Sequence, residues 1–141
     1  MKTVLKSVIT VEEAKLLPFT TTLLLESENA VVQKILDKLR DSGFYSMSEY
    51  SYCRIEHKPS GHGWHTDTGD RDHMMWCKFG ATMLLPQSTH FEGGNLVYRN
   101  NNIVEVIKKQ KPLDLYIHSS DIEHMVEPHT NGHRSVFLMF L

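Results

Sequence analysis

The clearest hydrophobic pattern in the chain predicts an amphipathic helix near the N-terminus. Residues 31–39 carry apolar side chains every three or four positions, with polar side chains on the opposite face. Ser27 or Asn29 is placed to cap the beginning of this helix, and Gly43 suits the left-handed position that ends it. We expect this helix to pack against a sheet.

The residues before this helix predict shorter elements. Residues 3–10 have the apolar and β-branched content of a strand, and Thr10 with Glu13 has the spacing of a helix-capping box. Pro18 ends the helix that this box begins. Residues 20–25 predict a second strand.

From residue 44 onward the pattern is that of short strands. Apolar, aromatic and β-branched runs alternate with clusters of Gly, Pro, Asn, Asp and Ser, as in a sandwich or a double-sheet jelly roll. We therefore predict one domain over residues 1–141, in which residues 1–49 support a β core over residues 50–141. The predicted strands are 50–56, 63–67, 78–85, 94–99, 103–108, 113–118, 122–127 and 134–141.

Composition and charge narrow the functional classes. With 141 residues, 40% hydrophobic and 23% charged, the chain is ordinary globular material. Its net charge of −2 and pI near 6.5 argue against a nucleic-acid partner, whose binding surface would be basic. Two cysteines are too few for a disulfide framework, and no signal peptide or membrane span is evident, so we expect a cytoplasmic protein without a membrane partner.

The first candidate site is a histidine and a carboxylate two residues apart. On an extended strand, His65 and Asp67 would point to the same face while Thr66 points away. An imidazole and a carboxylate are two of the three ligands in the facial triad that holds non-haem Fe(II). By itself this pair is common and does not establish a site.

A second candidate is the arginine at the start of the last strand. Arg134 shares a face with Val136, Leu138 and Phe140, so its guanidinium would point toward the interior. Burying that charge is costly unless an anion meets it. A guanidinium is matched to a carboxylate, so Arg134 predicts an anionic ligand held near the interior.

Four residues in this order resemble a known signature. A His-x-Asp pair, a histidine several strands later and an arginine ten residues beyond it are similar to the signature of Fe(II)/2-oxoglutarate-dependent dioxygenases. The four residues are His65, Asp67, His124 and Arg134.

Two further segments resemble the prolyl-4-hydroxylase-like branch of these enzymes. Residues 91–98, with Gly93-Gly94, are similar to its Gly-Gly-x-Leu strand, and residues 113–120 are similar to the strand that follows. The resemblance covers roughly residues 50–141. It implies a mainly β protein with N-terminal helices, built on a double-stranded β-helix, the cupin-like jelly roll.

The resemblance also implies a ligand set and an activity. His65, Asp67 and His124 would bind Fe(II), and Arg134 would pair with the far carboxylate of the cosubstrate 2-oxoglutarate. With dioxygen, and with ascorbate as a further cofactor, such an enzyme hydroxylates a C–H bond and converts 2-oxoglutarate to succinate and CO2. The implied substrate is a peptide, first of all a peptidyl proline, or else a free amino acid or small metabolite. A nucleobase is disfavoured because no second arginine follows Arg134.

This sequence departs from the branch at two positions. The tyrosine that relatives carry before the His-x-Asp pair is replaced by Ile55, with Tyr52 nearby. In the strand over residues 78–85, where relatives often supply a tyrosine to 2-oxoglutarate, only Thr82 offers a hydroxyl. The second contact to the cosubstrate is therefore open: Tyr52, Thr82 or another residue could make it.

Other residues receive structural interpretations. Alternation places Trp64 opposite His65, which favours packing in the core, whereas Phe140 is a candidate for the pocket wall. Cys53 and Cys77 are expected to be small buried hydrophobic residues. The histidines without a paired spacing are expected at the surface or rim: His57, His62, His73, His90, His118, His129 and His133.

Two other functional classes remain open at this point. One is a non-catalytic cupin-like module that binds a metal or small ligand, and it predicts no succinate production. The other is a hydrolytic protein with zinc at the same triad, which gives no reason for the buried Arg134.

Overall fold

The computed structural model describes residues 2–18, 21–58, 61–69, 73–108 and 110–141. These residues form two α-helices, α1 (Val11–Ala14) and α2 (Ala30–Asp41), a 3-10 helix (Leu24–Glu26) and a set of strands. The strands are β1 (Lys2–Leu5), β2 (Thr22–Leu23), β3 (Tyr52–Lys58), β4 (His62–His65), β5 (Phe79–Leu84), β6 (Glu92–Gly93), β7 (Leu96–Asn100), β8 (Ile103–Ile107), β9 (Leu115–Ser119), β10 (Glu123–Val126), β11 (His129–Thr130) and β12 (Arg134–Phe140).

Both predicted helix starts are confirmed. Thr10 and Glu13 form the reciprocal bonds of a capping box at α1. At α2, the side-chain oxygen of Asn29 accepts the backbone N–H groups of Val31 and Val32 at 3.0 and 3.1 Å. Gly43 follows the helix with a φ of +83°, as the C-terminal position requires.

The strands form two antiparallel sheets, as a jelly roll requires. One has six strands in the order β1-β9-β5-β12-β3-β2, and the other has four in the order β4-β10-β7-β8. The short pair β6–β11 makes a separate ribbon, in which Gly93 has a φ of +79° and no room for a side chain next to the carbonyl of Pro128. The predicted fold class is confirmed.

The two faces of the six-stranded sheet have different roles. Along β12, Phe137 and Met139 point to the main core, where they pack with the buried face of α2. Val136, Leu138 and Phe140 point the other way and line a pocket that residues of the four-stranded sheet also line. The helix therefore supports the back of the sheet whose front faces the pocket.

The N-terminal predictions are only partly correct. The predicted strand over residues 3–10 stops at Leu5 in β1, and Ser7 adopts a φ of +46°, which breaks extended structure. The segment 20–25 is a strand only at Thr22–Leu23 and then turns into the 3-10 helix, while its residue Thr20 lies outside the described residues. β1 and β2 nevertheless join the six-stranded sheet, beside β9 and β3.

Two of the polar, Gly- or Pro-containing clusters that separate the predicted strands, residues 58–61 and 68–70, fall partly outside the described residues. Among the helices that the structure describes, none has the length and apolar content needed to cross a membrane.

Candidate functional site

The predicted site residues line one pocket between the two sheets. Asp67 lies beside Gly80, which pairs with Phe140, at one end of β12. Arg134 begins the same strand, six positions before Phe140, and lines the same pocket. The pocket thus has a His-Asp-His end and an arginine end.

The two histidines of the triad are neighbours because their strands pair. His65 of β4 lies opposite His124 of β10, and the ring centroids are 4.2 Å apart. Nδ1 of His65 lies 2.8 Å from the carbonyl oxygen of Gly63, and Nδ1 of His124 lies 3.0 Å from that of Ile122. Because a carbonyl only accepts, each Nδ1 carries the hydrogen and each Nε2 keeps a free lone pair.

Asp67 reaches the histidines by a route that differs from the predicted one. The strand ends at His65, two residues earlier than predicted, so alternation along a strand does not place the carboxylate. Instead, the backbone N–H groups of Asp67 and Thr68 both donate to the carbonyl of Ser120, at 3.0 and 3.2 Å. One ligand atom from each triad residue then lies within 4.8 Å of the other two.

The position of one residue at this end differs from the predicted one. His118 was expected at the surface or rim, but only 3% of it is exposed, and its Nε2 lies 2.6 Å from Oδ2 of Asp67. It lies in β9, on the face opposite the core residues Leu115 and Ile117, and alternation could have identified it as a pocket residue. The same expectation is wrong for His129, which is also buried.

Burial and hydrogen bonding set the protonation of these groups. Burial alone would raise the pKa of Asp67, but the hydrogen bond from Nε2 of His118 and the adjacent ring of His124 outweigh burial and hold that pKa well below its ordinary value. Burial lowers the pKa of His65 and of His118. At neutral pH the carboxylate of Asp67 is therefore ionised and the imidazole of His65 is neutral, which is the protonation state in which these two groups bind a cation.

The arginine end holds a buried cation with an open hydrogen-bonding position. Arg134 is 3% exposed, and its NH2 group donates to Oε1 of Gln110 at 2.7 Å. Its Nε–H is buried and has no partner among the described residues. Burial lowers the pKa of Arg134 to about 10, with Glu56 opposing the change, so the side chain remains charged at neutral pH.

The structure also gives the positions of the other residues considered for the pocket wall and its surroundings. Thr82 lines the pocket, whereas the hydroxyl of Tyr52 is directed to the sulfur of Met74 at 3.9 Å. Phe140 lines the pocket as predicted. The prediction of core packing for Trp64 is wrong, because it is 38% exposed and the guanidinium of Arg99 lies 4.2 Å from its ring centroid.

The predicted burial of the two cysteines is confirmed. Cys53 and Cys77 are both buried as free thiols, and burial raises the pKa of each to about 12. Both therefore stay protonated at neutral pH and are poor nucleophiles.

No protein-family model matches the sequence, and no curated protein matches it with significant similarity. Solved structures do match. A prolyl-4-hydroxylase from Pseudomonas putida aligns with a TM-score of 0.71 and 16% identity over 99% of this chain and 83% of its own. This chain has the prolyl-4-hydroxylase fold.

Two further structures extend that likeness. The collagen prolyl hydroxylase of Paramecium bursaria Chlorella virus-1, solved with 2-oxoglutarate, aligns with a TM-score of 0.62 and 12% identity over 99% of this chain and 94% of its own. A prolyl hydroxylase from Trichoplax adhaerens, in complex with a peptide fragment of hypoxia inducible factor, aligns with a TM-score of 0.56 and 20% identity over 82% of this chain and 59% of its own. At these identities the likeness establishes the fold, and the chemistry has to be argued from the residues.

Proposed function

We propose that this chain is an Fe(II)- and 2-oxoglutarate-dependent dioxygenase that hydroxylates a C–H bond of a peptide. The observation that carries the proposal is the arrangement of one pocket. Two imidazole Nε2 atoms and an ionised carboxylate face each other at one end, and a buried arginine with an unpartnered Nε–H lies toward the other end.

The donor set fits a divalent iron. His65, Asp67 and His124 offer two nitrogens and one carboxylate oxygen, the facial triad typical of non-haem Fe(II) oxygenases. Three ligands leave three octahedral positions, enough for a bidentate 2-oxo acid and dioxygen. Zinc could bind the same three side chains, but a zinc hydrolase has no use for the buried guanidinium.

The charges of the pocket fit a dianionic cosubstrate. Two arginines and two carboxylates line the pocket, so their charges balance: Arg54 and Arg134 against Glu56 and Asp67. A divalent ion would leave an excess of two positive charges, which the two carboxylates of 2-oxoglutarate neutralise. Buried positive charge is costly unless negative charge compensates it. The dianion would therefore stabilise the pocket once the metal ion is bound.

Each residue has a defined part in this proposal. Arg134 would bind the far carboxylate with its free Nε–H, and Gln110 would hold the guanidinium in place through its 2.7 Å bond. Thr82, which lines the pocket, would supply the second contact with its hydroxyl in place of the missing tyrosine. With iron, dioxygen and 2-oxoglutarate bound, such a site yields succinate, CO2 and a hydroxylated product.

A peptide is the first candidate for the substrate, and a free amino acid is the second. The support is the fold shared with prolyl hydroxylases, one of which was solved with a peptide. Leu138 and Phe140 give the pocket wall an apolar surface suited to a proline ring or an aliphatic side chain. The two reduced, buried cysteines fit a reducing compartment, and we place the activity in the cytoplasm.

An anaerobic titration tests the proposal at the level of the loaded site. Adding 2-oxoglutarate to the protein with Fe(II) should produce the visible charge-transfer band of an iron-bound 2-oxo acid. His65→Ala should abolish this band, whereas His90→Ala, which removes an exposed histidine outside the pocket, should leave it unchanged. Air is then admitted and succinate is measured. The absence of both the anaerobic band and aerobic succinate formation in the unaltered protein would rule out the dioxygenase.

The substrate is tested separately. Proline-containing peptides and free amino acids are incubated with the iron-loaded protein, 2-oxoglutarate, ascorbate and air, and the products are examined by mass spectrometry. A gain of one oxygen atom on peptides, with none on amino acids, supports the first candidate. The reverse result replaces it with the second.

A further inference from the structure

The two oxygens of the Asp67 carboxylate have different partners. Oδ1 lies 3.4 Å from Nε2 of His124, so it faces the centre of the triad. Oδ2 is 2.6 Å from Nε2 of His118, whose ring centroid lies 4.2 Å from that of His124. One oxygen of the triad carboxylate is thus already held by a hydrogen bond, while the other faces His124.

The orientation of His118 is fixed by a second buried residue. Its Nδ1 lies 3.1 Å from the hydroxyl of Tyr98, which is 2% exposed. Burial raises the pKa of Tyr98, so the phenol keeps its proton and can donate it to Nδ1. The hydrogen of the neutral imidazole is then on Nε2, where it is donated to Asp67.

The chain leaves space for this hydrogen bond at one glycine. Gly80 lies beneath it, and a Cβ at this position would overlap both Oδ2 of Asp67 and Nε2 of His118. Tyr98 comes from β7 in the four-stranded sheet, whereas His118 and Gly80 come from β9 and β5 in the other. The hydrogen-bonded series therefore joins both sheets at the triad.

We infer that His118, oriented by Tyr98, is a positioning residue that occupies Oδ2 and makes Asp67 bind the metal through Oδ1 alone. A carboxylate that binds through both oxygens takes two of six octahedral positions. With two histidines it would leave only two positions, which a bidentate 2-oxo acid would fill. The bond from His118 keeps the third position open for dioxygen, so this inference rests on the proposed function.

Two substitutions of His118 separate the hydrogen bond from the presence of a polar side chain. In H118Q the amide nitrogen can take the place of Nε2 and donate to Asp67. In H118N the shorter amide corresponds to Nδ1 and can meet Tyr98 but not Asp67. Since the two side chains are chemically alike, they form a matched pair, with His90→Asn as the control for an exposed histidine.

The measurement uses Co(II), whose visible spectrum reports both occupancy and coordination number. H118N should bind Co(II) about 10 to 100 times more weakly than the unaltered protein, the usual cost of removing a hydrogen-bond partner of a metal ligand. Its spectrum should also change in the direction of higher coordination. H118Q should restore both properties, and Y98F should fall between the two because it loses only the group that orients the ring.

The outcomes distinguish this inference from the proposed function. If H118N and H118Q bind Co(II) with the affinity and spectrum of the unaltered protein, the positioning role is wrong, whatever the enzyme does. If the unaltered protein binds Co(II) and H118N weakens it but no succinate forms with Fe(II), the positioning role stands and the dioxygenase does not. Circular dichroism and thermal melting establish that each variant is folded. If H118N does not fold, the Y98F variant provides the test. Co(II) binding by Y98F that is identical to binding by the unaltered protein would overturn the inference.

Discussion

The two ends of the pocket differ in how completely the protein satisfies its own polar groups. At the triad, Nδ1 of His65, Nδ1 of His124 and Oδ2 of Asp67 each have a protein partner within 3.0 Å. At the other end, Nε of Arg134 and Nε2 of Gln110 are buried without a partner among the described residues. The first end is organised before any ligand arrives, and the second is completed by one.

This difference follows from what each ligand needs. A metal ion needs ligands with the correct tautomer and orientation, and hydrogen bonds on their far sides provide both. An anion needs hydrogen-bond donors, and a donor already used by the protein is not available to it. The cost of an unpartnered buried donor at Arg134 is offset only when an anion binds.

The largest expected effect comes from removing a triad ligand. Asp67→Ala leaves two imidazoles and no carboxylate at the metal end, so Fe(II) binding and succinate formation should fall by at least about 100-fold. Metal affinity is measured by anaerobic titration and turnover by the succinate assay, with His90→Ala as the matched exposed control. Turnover within a few-fold of the unaltered protein would show that the triad is not the metal site.

A substitution at the arginine end of the pocket should lower the affinity for the cosubstrate and leave the affinity for the metal unchanged. Arg134→Leu removes a charge-assisted bond worth about 1.5–3 kcal/mol, so the affinity for 2-oxoglutarate should fall by roughly 10- to 150-fold. Co(II) affinity should be unchanged, and stability should be equal or higher because a buried, poorly paired charge is removed. Arg99→Leu, at an arginine outside the pocket, is the control, and equal losses in the two variants would contradict the assignment.

A smaller effect is expected from a single methyl group at the triad end. Gly80→Ala forces a Cβ into the hydrogen bond between Asp67 and His118, which should lower stability by about 1–3 kcal/mol and weaken metal binding. Gly63→Ala is the matched control, since a Cβ there meets no atom within 4 Å. Urea denaturation and Co(II) titration measure both quantities. If the two alanine variants behave alike, the close approach at Gly80 has no consequence.

Acid should lower the stability of the metal-free protein through groups at the triad end of the pocket. The pKa values of His65 and His118 lie below their ordinary value of 6.5, so the unfolded chain takes up protons first as the pH falls. Stability should therefore be complete above about pH 6.5 and decline below it, with a further loss below about pH 4, where Asp67 is protonated in the unfolded chain but still ionised in the folded protein. Urea melts from about pH 5 to 7 measure the slope, which should be smaller in H118Q. A slope of zero in the unaltered protein would contradict the lowered pKa values.

The sequence was sufficient for the parts of the fold that depend on local periodicity. The alternation in β12 correctly separated Val136, Leu138 and Phe140 from the residues that pack against α2. The cap at Asn29 and the left-handed Gly43 were also predicted, because capping depends on residues that are adjacent in sequence.

The details of the site depend on contacts that cross between strands, and these were missed. The carboxylate of Asp67 is placed by a bond to Ser120, more than fifty residues away, and its partner His118 pairs with Gly80 across the sheet. Alternation predicts the side to which Trp64 points but not what covers that side; in the structure the guanidinium of Arg99 lies over its ring and the residue stays 38% exposed. Neither long-range pairing nor coverage can be read from a local pattern.

The source of the oxygen in succinate tests the central proposal most directly. Isotopically labelled dioxygen is supplied to the protein together with Fe(II), 2-oxoglutarate and a peptide that the screen has identified as a substrate. Oxidative decarboxylation places one atom of that dioxygen in the new carboxylate, so we expect singly labelled succinate whose yield falls with Asp67→Ala and is restored in Arg134→Leu by excess 2-oxoglutarate. Unlabelled succinate, or labelled succinate formed equally by Asp67→Ala, would contradict a dioxygenase centred on His65, Asp67 and His124.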